Sequence, residues 1–218
     1  MNIQGFQKMT LLDFPGKVAC IVFTGGCNLR CPFCHNGSLV RRPAANKDMQ
    51  REVLEYLEKR RGIVDGVVIT GGEPLLQPDL GEFIARIKEM GYAVKLDTNG
   101  ALPERLKGLL AAGNIDYIAM DIKSSPEGYK KASGSEIDIE NFRQSMEIIK
   151  QSGIEHEFRT TIVKGIHEAE DLLKIAQWVG AGENISFRNM WIRGISWVPV
   201  AEHSAKRNMG ICSKRSGK

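Results

Sequence analysis

The sequence predicts an α/β fold on a parallel sheet, organised as a partial TIM-like (β/α)6 barrel whose last unit is atypical or missing. Three observations predict it. Short apolar runs alternate five times with segments of helical period. The connections between them are short, which favours right-handed strand–helix–strand crossovers. Polar and glycine-rich clusters follow the C-terminal ends of the apolar runs and so gather on one rim, where barrel-like α/β folds carry their chemistry.

The elements follow in order. Residues 11–17, with Pro15-Gly16, read as a turn before the first strand. Residues 18–23 are a continuous apolar run, as expected of a strand covered on both faces. Residues 48–61 place Val53, Leu54 and Leu57 at helical spacing, and Gly62 stands where a terminator belongs. Residues 66–70 form a second buried strand running into Gly71-Gly72-Glu73-Pro74, and residues 78–90 a helix with Leu80, Phe83, Ile84 and Ile87 on one face. A strand over 93–96 ends in Asp97-Thr98-Asn99-Gly100, and a helix over 103–112 is closed by Gly113. A strand over 117–120 leads to Asp121-Ile122-Lys123. The helix over 139–151 turns Phe142, Met146 and Ile149 inward and stops at Gly153. The last legible unit is a strand over 157–163 and a helix over 168–179.

Composition narrows the function. With 218 residues, 42% hydrophobic and 26% charged, the chain matches an ordinary globular domain. It has no apolar run of spanning length and no signal-peptide order at its start, so no membrane association and a cytoplasmic location are expected. The net charge of +4 is unevenly spread: residues 184–218 carry +6 and residues 1–183 carry −2. Basicity confined to one tail is more simply a solvated tail than a nucleic-acid footprint.

Three of the five cysteines lie within eight residues, in Cys27-Asn28-Leu29-Arg30-Cys31-Pro32-Phe33-Cys34. An odd number with three crowded together argues for metal rather than disulfides. Structural zinc wants four ligands, and His35 would have to fold back within one residue of Cys34 to serve. An iron–sulfur cluster fits three loop thiolates better, with zinc as the alternative. Three thiolates leave a four-iron cluster with one iron free for chemistry, and Phe33 offers an apolar wall. Cys20 reads as an inert core residue and Cys212 as part of the tail.

The Cys27-x3-Cys31-x2-Cys34 motif, followed one unit later by Gly71-Gly72-Glu73-Pro74, resembles the radical S-adenosylmethionine (radical SAM) superfamily. Leu12-Asp13-Phe14-Pro15-Gly16, Thr24-Gly25-Gly26-Cys27-Asn28, Cys34-His35-Asn36, Leu96-Asp97-Thr98-Asn99-Gly100 and Met120-Asp121-Ile122-Lys123 narrow the likeness. Together they are similar to the activating enzymes of glycyl radical enzymes, above all the anaerobic ribonucleoside-triphosphate reductase activating proteins, with pyruvate formate-lyase activating enzyme as a relative. The resemblance covers about residues 5–180.

It implies a [4Fe–4S] cluster on Cys27, Cys31 and Cys34, with the fourth iron chelated by S-adenosylmethionine. Reductive cleavage of that cofactor would give methionine and a 5′-deoxyadenosyl radical, which takes hydrogen from a glycine of a partner glycyl radical enzyme. A flavodoxin- or ferredoxin-like donor would supply the electron. Within that scheme Gly71 and Gly72 let backbone approach the cofactor, with Pro74 completing the motif, and Glu73 accepts from its ammonium group. Asp97, Thr98 and Asn99 suit ribose hydroxyls or the amine. Lys123, oriented by Asp121, suits the carboxylate. Arg159, Thr161 and His167 are candidates for a supporting layer, against a plain reading of outward-facing side chains and a helix cap.

From about residue 180 the helical period fades and two of the three tryptophans, Trp191 and Trp197, appear. The sequence therefore divides into a barrel domain over 1–180 and an atypical basic tail over 181–218. With permissible codons, residues 183–194 can be re-read in another frame as a strand-like peptide, so a frameshift near 180–183 is expected, at the cost of an exposed sheet edge. The alternatives to an activase are a radical SAM enzyme acting on a small molecule, an inactive truncated product, a zinc module and a basic-tailed nucleic-acid binder.

Overall fold

A computed structural model describes residues 1–41 and 48–189. In chain order the strands are β1 (Ile3–Thr10), β2 (Ala19–Thr24), β3 (Gly66–Gly71), β4 (Ala93–Thr98), β5 (Tyr117–Asp121), β6 (Glu155–Ile162) and β7 (Ile185–Asn189). The helices are α1 (Gly37–Arg41), α2 (Met49–Lys59), α3 (Leu80–Glu89), α4 (Pro103–Ala111), α5 (Tyr129–Ser133), α6 (Ile139–Gln151) and α7 (Ala169–Val179), with a 3-10 turn over Pro74–Leu76.

The seven strands form one sheet in sequence order, β1 antiparallel to β2 and every later pair parallel. All five strand–helix units read from the sequence are present. Gly62, Gly113 and Gly153 follow α2, α4 and α6 with positive φ, which a glycine adopts without strain.

Two expectations change. Residues 3–10 carry no continuous apolar run, yet β1 forms because β2 offers a hydrogen-bonding edge, pairing Gly5, Phe6 and Gln7 with Phe23, Val22 and Ile21. The last strand, expected to be atypical or missing, is present as β7, with Phe158 through Ile162 paired to Ile185 through Asn189. The sheet therefore continues past residue 180, and Ile185 and Phe187 pack on the main core in the present reading frame. Cys212, Trp191, Trp197 and the rest of the tail lie outside the described residues.

β1 and β7 are the free edges, so the sheet is open. It is nevertheless curved, because Gln7 of β1 and Arg188 of β7 line the same cavity together with residues from every strand between them. The large apolar core lies between the outer face of the sheet and the helices, joining Cys20, Val22, Val67, Ile69, Val94, Leu96, Ile118, Met120 and Phe158 to Leu57, Phe83, Ile87, Phe142 and Ile149. A small second cluster of Phe14, Ile21, Val68 and Tyr117 fills the floor inside the curve. Among the described residues no helix is long and apolar enough to cross a membrane.

Candidate functional site

The cavity inside the curve has a volume of about 380 Å³ and opens at the C-terminal ends of the parallel strands. Cys27, Cys31 and Cys34 all line it, with Phe33, Asp97, Thr98, Asn99, Asp121 and Lys123. The three sulfurs are free thiols. Among the described residues, no group of three or more Cys, His, Asp and Glu side chains converges as a single ion would require. Three thiols around one cavity without a common point suit a multi-iron cluster, each sulfur taking a different iron, better than tetrahedral zinc.

The cysteine loop is shaped by its neighbours. Gly26 N donates to Leu39 O at 3.0 Å, and Arg30 N donates to Ser133 O at 2.8 Å. A Cβ on Gly134 would sit 2.3 Å from Arg30 O, so this contact requires glycine. Asn36 Nδ2 donates to Gly71 O at 3.1 Å, and Gln77 Nε2 donates to Gly25 O at 2.9 Å.

The Gly71-Gly72 pair serves the same loop. A Cβ on Gly71 would lie 2.2 Å from Thr24 N, and one on Gly72 would lie 1.8 Å from Gly26 O. Their missing side chains let the end of β3 press against the backbone that leads into Cys27, with Glu73 N donating to Gly26 O at 2.8 Å. Both glycines also line the cavity.

Glu73 and Pro74 sit beneath the site and are absent from the cavity wall. Glu73 is completely buried; its Oε1 accepts from Leu75 N and Thr98 Oγ1 at 3.1 and 2.8 Å, and its Oε2 accepts from Asn99 N at 2.7 Å. Burial pushes its pKa up to about 7, against the pull of those donors. The expected acceptor for a cofactor ammonium is thus a clamp between the ends of β3 and β4, because protein donors already occupy both oxygens. Pro74 opens the 3-10 turn that Glu73 caps.

Asn99 also differs from expectation. Its Oδ1 accepts from Ala101 N at 2.9 Å, and its Nδ2 faces Asn28 Oδ1 at 2.8 Å and Cys27 Sγ at 3.7 Å. Every polar atom of its amide is committed to the protein, so it braces the cysteine loop.

Deeper in, the inner face of the sheet carries a chain of alternating charges. Lys95, 1% exposed, donates to Asp13 O at 2.6 Å and lies 3.3 and 3.4 Å from Asp97 Oδ1 and Glu157 Oε1. Arg159 spans the two rim carboxylates, its Nε at 2.9 Å from Asp121 and its NH1 at 3.0 Å from Asp97. Asp121 Oδ2 in turn lies 3.0 Å from Lys123 Nζ. Burial alone would protonate Asp121, but Arg159 and Lys123 outweigh it and hold the carboxyl well below the usual range. Burial likewise opposes the charge on Lys123, and Asp121 outweighs it, so its pKa is raised.

Of the supporting candidates, Arg159 and Thr161 face the cavity, as their period of two allowed. His167 is a brace: its Nδ1 accepts from Val163 N at 3.0 Å, which leaves Nε2 to donate to Lys123 O at 2.8 Å. Sequence reasoning missed Lys95, Glu157, Asn28 and Gln77. The alternation of Lys95 with Asp97, and of Glu157 with Arg159, was the available signal for the first two. Nothing local marked the others.

The Radical SAM superfamily profile matches residues 21–179. The chain belongs to the radical SAM superfamily. Membership implies a [4Fe–4S] cluster and S-adenosylmethionine as cofactors of this radical SAM enzyme. Over 98% of the chain and 92% of the relative, it is 33% identical to a Methanocaldococcus jannaschii protein whose name assigns it provisionally to the glycyl-radical enzyme activating enzymes. It is 28% identical to the pyruvate formate-lyase-activating enzyme of Clostridium pasteurianum, over 84% of this chain and 78% of that one. This radical SAM enzyme is thus a homologue of glycyl radical activating enzymes. The fold is shared with a solved radical SAM methyltransferase from Sphaerobacter thermophilus, at TM-score 0.64 and 15% identity. That match covers 83% of this chain and 57% of the methyltransferase. A similar match to Streptococcus suis SuiB has TM-score 0.62 and 18% identity, over 82% of this chain and 41% of SuiB.

Proposed function

We propose that this radical SAM enzyme is an activase that generates a glycyl radical on a partner enzyme of the anaerobic ribonucleotide reductase or pyruvate formate-lyase type, in the cytoplasm. The observation that carries the reading is the near full-length likeness to the M. jannaschii relative.

The residues fit the cofactors. Cys27, Cys31 and Cys34 would hold the cluster, which when bound supplies the electron for reductive cleavage of S-adenosylmethionine. Lys123 offers a cation to the cofactor carboxylate, held in place by Asp121. Arg159 fixes Asp97 and Asp121 relative to each other, so both carboxylates keep their orientation toward the cavity. Thr98 lines the same wall, and the Gly71-Gly72 backbone bounds it. The open side between β1 and β7 is where a loop of a large partner could enter. A flavodoxin- or ferredoxin-like protein is the proposed electron donor.

The test is anaerobic reconstitution followed by electron paramagnetic resonance on purified candidate partners. About four irons and four sulfides per chain are expected. With reductant and S-adenosylmethionine, 5′-deoxyadenosine should form and a glycyl signal should rise on one partner. Cys31→Ala should reduce both to background. Zinc without sulfide would reject the cluster. Nucleoside formation with no glycyl signal on either partner type would reject the activase reading in favour of a small-molecule substrate.

A further inference from the structure

The three cysteine sulfurs are not equivalent. Cys27 Sγ accepts from Leu29 N at 3.4 Å and from Asn99 Nδ2 at 3.7 Å. Among the described residues, no other residue donates a hydrogen bond to the sulfur of Cys31 or Cys34. The Asn99 donor comes from the end of β4, 72 positions along the chain, and its direction is fixed. Ala101 N can only donate, so the atom facing it is Oδ1, and the NH2 group must face Asn28 and Cys27. That group has two hydrogens, one for Asn28 Oδ1 and one for the sulfur. Asn99 is itself buried, which keeps water from replacing it as donor.

We infer that Asn99 is a positioning residue that acts through Cys27, its side-chain amide donating to the thiolate and raising the reduction potential of the bound cluster. A donor at a ligand sulfur withdraws charge and favours the state with one more electron, since hydrogen bonds to the sulfurs are among the determinants of cluster potential. The amide therefore acts on the electron-accepting step as well as on the shape of the loop.

This inference rests on the assignment of the cluster to the three cysteines, and the experiment separates the two. Iron and sulfide content of the unsubstituted protein tests the assignment; the potential tests the role of Asn99. Potentials are read by electron paramagnetic resonance during redox titration of reconstituted protein without S-adenosylmethionine. Asn99→Asp keeps the size and the acceptor for Ala101 N but removes the donor. Asn99→Ala removes both. Asn28→Ala removes the clamp while leaving the bond to Cys27. The reduced-to-oxidised ratio at a fixed poise should fall about tenfold in both Asn99 variants, which is about 59 mV for one electron. It should stay within about twofold in Asn28→Ala. Unchanged potentials in the Asn99 variants, or an equal shift in Asn28→Ala, would overturn the inference. So would loss of iron from both Asn99 variants where the unsubstituted protein loads fully, since that would make Asn99 a builder of the site and not a tuner.

Discussion

The two faces of the parallel strands obey opposite rules. On β4, Val94 and Leu96 face the helices while Lys95 and Asp97 face the cavity. On β6, Phe158 joins the outer core while Glu157 and Arg159 enter the inner charge chain. The outer face is held by area removed from water and needs only apolar side chains that fit. The inner face is held by pairing: Lys95, Arg159 and Lys123 are matched by Asp97, Asp121 and Glu157, and removing any one leaves an opposite charge uncompensated. One face tolerates error gradually, whereas the other fails by single substitutions.

The largest expected effects come from one substitution on each face. Lys95→Met strips the cation from Asp97 and Glu157 and should destabilise the cluster-free protein by roughly 3–5 kcal/mol in a urea titration. One of the two carboxyls should take up a proton near neutrality. Binding of S-adenosylmethionine by the surviving folded protein should weaken, because Asp97 loses its support from below. Phe83→Ala, on the outer face, should cost a similar amount, about 3–5 kcal/mol, through the cavity it leaves. The folded fraction should still bind the cofactor normally. Equal loss of cofactor binding in both variants would erase the distinction between the faces.

A smaller effect comes from Glu73, which lies where the two faces meet at the rim. Its folded pKa of about 7 lies above the ordinary 4.5, so the folded state holds the proton more tightly. Its contribution is therefore fully present below pH 4.5 and is lost as pH rises toward 7, by roughly 3 kcal/mol. Urea midpoints of the cluster-free protein should fall between pH 5 and pH 7.5, and Glu73→Gln should flatten that slope. A steeper slope in the variant would show that other groups control it. At the bottom of the scale, Leu173→Ser replaces an apolar side chain that is 66% exposed on α7 and should change stability by no more than about 0.5 kcal/mol.

The outer face was legible from the sequence. The runs at 66–70 and 117–120 and the helical spacing of Leu80, Phe83, Ile84 and Ile87 announced which side chains would be buried, because burial against a helix demands apolar residues at fixed period. β1 escaped because its Ile-Gln-Gly-Phe-Gln-Lys-Met-Thr sequence has weak strand character, and only the edge of β2 makes it a strand. β7 was hidden in the same way by the change in composition near residue 180. Of the inner face, sequence motifs marked the ends of the strands but not the network beneath them.

By itself the sequence determined the order of strands and helices, the rim on which chemistry gathers and the three cysteines, since each is written in local spacing. Tertiary structure alone decided what the rim residues do. Glu73 became a clamp and Asn99 a brace on Cys27, while Lys95 and Glu157 joined Asp97 and Arg159 inside the curve. These roles depend on which donor meets which acceptor across tens of residues. Hydrogen bonds and ion pairs act over a few ångströms and leave no periodic trace in the chain.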